Sequence, residues 1–182
     1  MPSRIVEKYK KSVVPALKKE FGYKNVHAIP RITKVVVNVG VGRIVKETKL
    51  LERIQADLAK ITGQKPALRN AKKSIAGFKV REGTPSGYMV TLRGARMYDF
   101  IDRLVSVALP RSRDFQGISP TSIDQAGNLN IGIKEHNIFP EISYESLKDI
   151  FGLEITVVTS AKSHKEGAAL LRLLGFPLKP NT

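Results

Sequence analysis

The sequence predicts an α+β fold, and three observations carry that expectation. Residues 34–39 and 86–93 alternate apolar and polar side chains with the period of a strand, and residues 154–159 are a run rich in β-branched residues. Residues 3–21, 45–62 and 95–109, and a stretch opening at Ser163, repeat apolar residues at helical spacing. In the two alternating strands only one face is apolar. The other carries amides, hydroxyls and cations, which suits an open sheet surface presented to a partner.

In the first helix, residues 3–21, Val6, Tyr9, Val13, Leu17 and Phe21 form the apolar stripe. Lys8, Lys10, Lys11, Lys18 and Lys19 lie elsewhere on the cylinder, either along RNA or simply in water. Pro15 should kink or split this helix, and Gly22 ends it. In the strand 34–39, Val35, Val37 and Val39 share the core face, and Lys34, Val36 and Asn38 share the other. Gly40-Val41-Gly42 follows. A dinucleotide fingerprint needs a third glycine at position 45, where this chain has Val45, so a turn is the better account. No Gly-x-x-x-x-Gly-Lys-Ser/Thr loop occurs anywhere in the chain. The helix 45–62 has Leu51, Ile54, Leu58 and Ile61 as its stripe, with Gly63 as its cap. Residues 66–70 read as a short strand with its proline at the start.

Next comes the stretch around which the rest is organised. After Lys65 the cations Arg69, Lys72, Lys73, Lys79 and Arg81 surround the tip Ala76-Gly77-Phe78, with no acid before Arg81. Residues 65–96 carry a net charge of +7, nearly half the total excess. Cations neutralise phosphates and a ring stacks on a base or ribose, so the loop suits a phosphate backbone. The bland alternative is a solvated cationic loop whose Phe78 folds back into the core.

In the strand 86–93, Tyr88, Val90 and Leu92 alternate with Met89, Thr91 and Arg93. Paired near residues 34–39, it would put Asn38, Thr91 and Arg93 on one exposed surface able to bind riboses and phosphates. The helix 95–109 turns Met97, Ile101, Leu104 and Ala108 inward and should stop at Pro110. Residues 110–150 differ in character: their net charge is −2, and Gly, Pro, Ser and Asn punctuate them. A hairpin is expected between 122–125 and 129–133, turning at Ala126-Gly127-Asn128. The segment reads as an excursion from the sheet, offering either an acidic surface to a basic protein or an ordinary long loop. After the strand 154–159, Ser163-His164-Lys165-Glu166 is a capping box. It starts a helix bearing Ala169, Leu170, Leu173 and Leu174, closed by Gly175.

Composition narrows the function. The chain has 182 residues, enough for one domain with a sizeable core, and 31 Lys and Arg against 16 acids, a net charge of +15. Such an excess repels itself until a polyanion relieves it. An anionic membrane surface is the other candidate, but no apolar run approaches the roughly 20 residues of a spanning helix. The absence of cysteine excludes disulfides, thiol catalysis and cysteine-ligated metals. The N-terminus lacks the apolar core of a signal peptide, so a cytoplasmic protein is expected. His27, His136 and His164 are far apart in sequence and lack ligand-like neighbours, so no metal site is expected. No Ser, His and acid stand in a recognisable nucleophile setting. The expectation is a binding protein, without a cofactor, rather than an enzyme.

At this point the residues name a family. The runs Ile61-Thr-Gly-Gln-Lys-Pro66, Ala71-Lys-Lys-Ser-Ile-Ala-Gly-Phe-Lys79 and Val107-Ala-Leu-Pro-Arg-Ser-Arg-Asp-Phe115 closely resemble the bacterial large-subunit ribosomal protein L-five family, which binds 5S rRNA. Phe21-Gly-Tyr23, Val35-Val-Val-Asn38, Asn137-Ile-Phe-Pro-Glu141 and Leu173-Leu-Gly-Phe-Pro177 match as well, so the resemblance covers residues 9–177. It implies a single α+β domain, an antiparallel sheet with helices packed on one face and a long loop or hairpin excursion. It implies that the open face grips 5S rRNA and helps attach it to the central protuberance, with Asn38, Gln64 and Thr91 in contact and Lys34, Lys65 and Arg93 as charge support. It also implies that Lys72, Lys73, Ser74, Gly77, Phe78, Lys79 and Arg81 reach the P-site tRNA. Arg111, Arg113, Asp114, Glu135, Glu141 and Glu145 would bridge to a basic small-subunit head protein. The implied partners are 5S rRNA, large-subunit rRNA, tRNA and that protein, with no membrane and no homo-oligomer. Two other readings compete: a free-standing RNA-binding regulator or chaperone with the same surface, and an enzyme holding a nucleotide at Gly40–Gly42.

Overall fold

Five strands form: β1 (Ile32–Gly40), β2 (Ala67–Asn70), β3 (Pro85–Leu92), β4 (Leu129–Ile133) and β5 (Leu153–Thr159). The computed structural model describes residues 3–42, 44, 47–78, 80–113, 115–142 and 150–179. In β1 the buried Val35, Val37 and Val39 alternate with half-buried Val36 and exposed Asn38. That period slips earlier, where half-buried Thr33 and Lys34 stand together between buried Ile32 and Val35. β3 buries Tyr88, Val90 and Leu92 and leaves Met89 and Thr91 half-buried. β4 and β5 alternate strictly: Leu129, Ile131, Ile133, Leu153, Ile155 and Val157 are inward, and Asn130, Gly132 and Glu154 are exposed. The sheet is antiparallel, in the order β2-β3-β1-β5-β4. One apolar face and one hydrophilic face are what a sheet covered by helices on a single side requires.

The segment read as an excursion therefore supplies β4, next to β5. Its expected hairpin partner, residues 122–125, contributes only a single bridge, Ile123 to Leu129. Asp124 holds the turn instead. Its carboxylate accepts from the Asn128 backbone N–H at 2.7 Å and from the Asn128 amide at 2.8 Å. Those hydrogen bonds hold its carboxyl below the usual range.

The helices are α1 (Arg4–Lys8), α2 (Val14–Phe21), α3 (Thr48–Thr62), α4 (Gly94–Arg103), α5 (Leu109–Arg111) and α6 (His164–Leu174). α3 starts at Thr48; Val45 and Lys46 of its expected first turn lie outside the described residues. Two wide π turns, Tyr9–Val13 and Leu104–Ala108, join α1 to α2 and α4 to α5. Each is followed, two residues on, by a proline: Pro15 and Pro110. This corrects the expectation that Pro110 stops its helix, which runs on to Arg111. Proline lacks an N–H, and its ring crowds the carbonyl one turn back. A widened turn at that point moves that carbonyl away from the ring. Gly22, Gly63 and Gly175 cap helices in the left-handed conformation. At α6 the Ser163 hydroxyl accepts the Glu166 N–H at 3.4 Å. The Glu166 carboxylate accepts the Lys162 N–H, one residue upstream of the expected reciprocal partner.

The chain forms two compact units. One comprises Met1–Val35, Leu92–Ile131 and Thr156–Thr182. Within it α1 packs on α4, and Tyr9–Val13 and α2 pack on α6. The Lys8 ammonium donates to the Leu174 carbonyl at 3.0 Å, satisfying the C-terminal end of α6. The other unit comprises Val36–Thr91 and Gly132–Ile155 and contains α3, β2 and nearly all of β3. Its core includes Ile54, Leu58 and Ile61 from α3. Among the described residues, no helix is long and apolar enough to cross a membrane.

Candidate nucleic-acid interface

Asn38 and Thr91 lie on the hydrophilic side of neighbouring strands. Asn38 alternates with buried Val37 and Val39, and Thr91 with buried Val90 and Leu92. The Asn38 amide has no hydrogen-bond partner among the described residues, so its donors and acceptor face solvent. Gln64 follows the α3 cap, and its side-chain amide donates to the Thr91 carbonyl at 3.4 Å. That bond brings Gln64 to β3, with the exposed Lys65 next in the chain. Gly87 sits with the backbone carbonyl of Val39 only 2.7 Å from where a Cβ would project, and it pairs with Arg69 of β2. Arg69 is exposed, as are Ala67 and Leu68 beside it. The sequence reading placed Arg69 among the loop cations. Its position on a strand opposite a glycine becomes visible only with the register. Of the other two supporting cations, Lys34 is half-buried on β1 and Arg93 is exposed where β3 gives way to α4; both belong to the other unit.

The basic loop is a built hairpin. Ala71 and Thr84 are joined by an N–H to carbonyl bond of 2.9 Å, and Gly83 donates back to Ala71 at 3.0 Å. Nearer the tip, Ile75 donates to Val80 at 2.9 Å, and the Ser74 hydroxyl accepts the Glu82 N–H at 2.8 Å. Residues Ala76–Phe78 make one turn of 3₁₀ helix at the end. Phe78 is 78% exposed and Ile75 50%, so the ring does not fold back into the core. Lys72, Lys73, Gly77 and Arg81 are exposed around it, with Glu82 as the one described acid; Lys79 lies outside the described residues. An aromatic ring held out among cations offers a stacking platform inside a positive field.

Of the expected bridge residues, Arg111 and Arg113 are exposed in one unit, and Glu135 and Glu141 are half-buried in the other. The Glu135 carboxylate accepts from the Asn137 amide at 3.1 Å. Asp114 and Glu145 lie outside the described residues.

Gly40 closes β1. Val41 is fully buried and its N–H donates to Ser86 at 3.0 Å, extending the β1–β3 pairing. α3 begins only at Thr48, too far on for a phosphate to meet its N-terminus as a dinucleotide fold requires. Among the described residues, no group of three or more His, Asp or Glu side chains is placed to hold a metal ion. A buried polar cluster absent from the sequence reading joins His136, Asp57 and Phe151.

Comparison with known proteins matches both parts of the chain to family descriptions. Residues 25–81 match "Ribosomal protein L5", and residues 85–178 match the C-terminus of the same ribosomal family. Several bacterial proteins named "Large ribosomal subunit protein uL5" align along nearly the whole length. The protein of Acaryochloris marina is 52% identical over 181 residues, covering 100% of both chains. That of Rubrobacter xylanophilus is 52% identical over 179 residues, covering 98% of this chain and 99% of its own. That of a Thermoanaerobacter species is 54% identical over 175 residues, covering 96% and 98%.

Proposed function

This chain belongs to the ribosomal protein L5 family, and on that premise we propose that the hydrophilic face of its sheet binds 5S rRNA. As a member of that family it is a structural, non-enzymatic constituent of the large ribosomal subunit, in the cytoplasmic ribosome.

One observation carries the 5S reading: Asn38 and Thr91 share the solvent side of adjacent strands, and Gln64 is tied to the Thr91 carbonyl. An unpartnered amide, a hydroxyl and a second amide fit ribose hydroxyls and base edges. Lys65 supplies phosphate attraction beside them, and Lys34 and Arg93 are further cations for RNA. The hairpin with Lys72, Lys73, Ser74, Gly77, Phe78, Lys79 and Arg81 reaches the P-site tRNA. Its exposed ring and cations support that reading. Arg111, Arg113, Asp114, Glu135, Glu141 and Glu145 contact a basic small-subunit head protein. The local excess of acids supports that contact, and the protein thereby joins 5S rRNA to the central protuberance and to an intersubunit bridge.

The test is a nuclease and chemical footprint of the full chain on naked 5S rRNA. Protection of one discrete loop, lost with Asn38→Ala plus Thr91→Ala, is the expected result. Protection spread evenly along the RNA, or none, overturns the reading. Co-sedimentation with large subunits separates a ribosomal protein from a free-standing RNA-binding regulator.

A further inference from the structure

We propose that Asn130 and Thr156 form a further RNA contact on the hydrophilic side of the sheet, one that takes a ribose hydroxyl or a base edge and not a phosphate. The proposal rests on the 5S reading above.

Asn130 is exposed in the middle of β4, between buried Leu129 and Ile131. Thr156 is half-buried on β5, between buried Ile155 and Val157. Across the two strands the Thr156 hydroxyl donates to the Asn130 side-chain oxygen at 2.8 Å. That bond assigns the two ends of the amide. The oxygen is occupied, and the NH₂ group is left with donors for an outside acceptor. It also holds the side chain in place before any ligand arrives, which lowers the ordering cost of binding. A positioned amide donor beside a hydroxyl matches a ribose 2′-hydroxyl or the acceptor atoms of a base.

A neighbouring carboxylate argues against a phosphate. On β5 the residue two before Thr156, with the same alternation, is the exposed Glu154. A carboxylate there repels phosphate, while it accepts a hydrogen bond from a ribose hydroxyl or an exocyclic amino group. Asn130 and Thr156 drew no attention in the sequence, because an isolated Asn and an isolated Thr on strands are ordinary solvent-facing residues. Only the pairing of β4 with β5 puts them together.

The test is a titration of 5S rRNA with the full chain at several salt concentrations, alongside thermal unfolding. Asn130→Ala should weaken binding about three- to tenfold, the share of one or two hydrogen bonds. The slope of affinity against salt should not change, because no phosphate contact is lost. Thr156→Val should weaken binding less, and Thr156→Ser should restore it. Unchanged affinity in Asn130→Ala, when Asn38→Ala with Thr91→Ala weakens binding, overturns this inference and leaves the 5S reading standing. Unchanged affinity in both overturns the 5S reading itself. A shallower salt slope overturns the ribose or base assignment. A loss of affinity that follows the loss of melting temperature across the variants shows a purely structural pair, and overturns the proposal.

Discussion

His136 holds its Nε2 4.0 Å from the Asp57 carboxylate, and both side chains are buried. Asp57 is paired at 3.1 Å with Lys60, and the His136 ring stacks on Phe151 with centroids 3.9 Å apart. Nδ1 accepts the Phe151 N–H at 3.4 Å, so the proton of the neutral ring sits on Nε2. Burial pushes the imidazole below its ordinary value, and the pull of Asp57 in the other direction does not compensate. The unfolded chain therefore binds the proton more readily than the folded one. The stability due to neutral His136 is fully present above about pH 6.5, the ordinary value, and is lost as pH falls toward the depressed one. The melting temperature should drop between about pH 7 and pH 5, and calorimetry of His136→Phe over that range should show a flatter dependence. Equal slopes in the two proteins would remove His136 from the account.

Asn38→Ala combined with Thr91→Ala should weaken 5S rRNA binding about tenfold or more, from the loss of two or more hydrogen bonds. Both side chains face away from the core, so the melting temperature should hold within about 2 °C. Filter binding and differential scanning fluorimetry on the same samples check the two halves of this expectation.

The cations predict a steep dependence on salt. The log–log slope of 5S rRNA affinity should be about −0.7 to −0.9 for each phosphate neutralised. Lys65→Ala should make it shallower by about one such step. A flat salt dependence would show that the charge excess has no part in RNA binding.

Phe78→Ala should leave stability and 5S rRNA binding unchanged, because the ring is 78% exposed on a hairpin held by its own backbone bonds. Binding of tRNA should weaken by the worth of one stacked ring, about 1–3 kcal/mol. A fall in melting temperature would place the ring in a packing role instead.

Gly167→Ala should destabilise the unit that contains α6. A Cβ there would run into the backbone of Gly127, which itself has φ +81 and lies against Ala161. Overpacking of this kind costs about 1–3 kcal/mol, which for a chain of this size lowers the melting temperature by about 3–10 °C. Thermal unfolding measures it, while RNA affinity at low temperature should stay near that of the parent.

The two sides of the sheet were legible because alternation is a local property. The valines of β1 and the Tyr88-Val90-Leu92 set of β3 announce a core face without reference to any neighbour. What the strands pair with is not local. Nothing in residues 129–133 says that they lie beside β5, and so the Asn130–Thr156 pair was invisible. Asp57 stands three positions after Ile54 and four before Ile61, at the edge of the apolar stripe, and only the structure shows it buried beside His136. The charge of the hairpin was plain in the sequence. Whether Phe78 stands out or folds back was not, since an exposed and a buried phenylalanine are written alike. Its 78% exposure at the tip of the hairpin shows that it stands out.

The wide turns at Tyr9–Val13 and Leu104–Ala108 also set the angular phase of their helices. Ile5 and Leu17 are twelve positions apart, as are Met97 and Leu109, and all four side chains are buried. On an uninterrupted α-helix, positions twelve apart point about 120° away from each other. A turn closed by an i→i+5 bond absorbs one residue, which brings each pair to within about 20° and onto a single stripe. Rewinding either helix as a regular α-helix with every residue kept would therefore rotate Leu17 or Leu109 away from the stripe that Ile5 or Met97 begins.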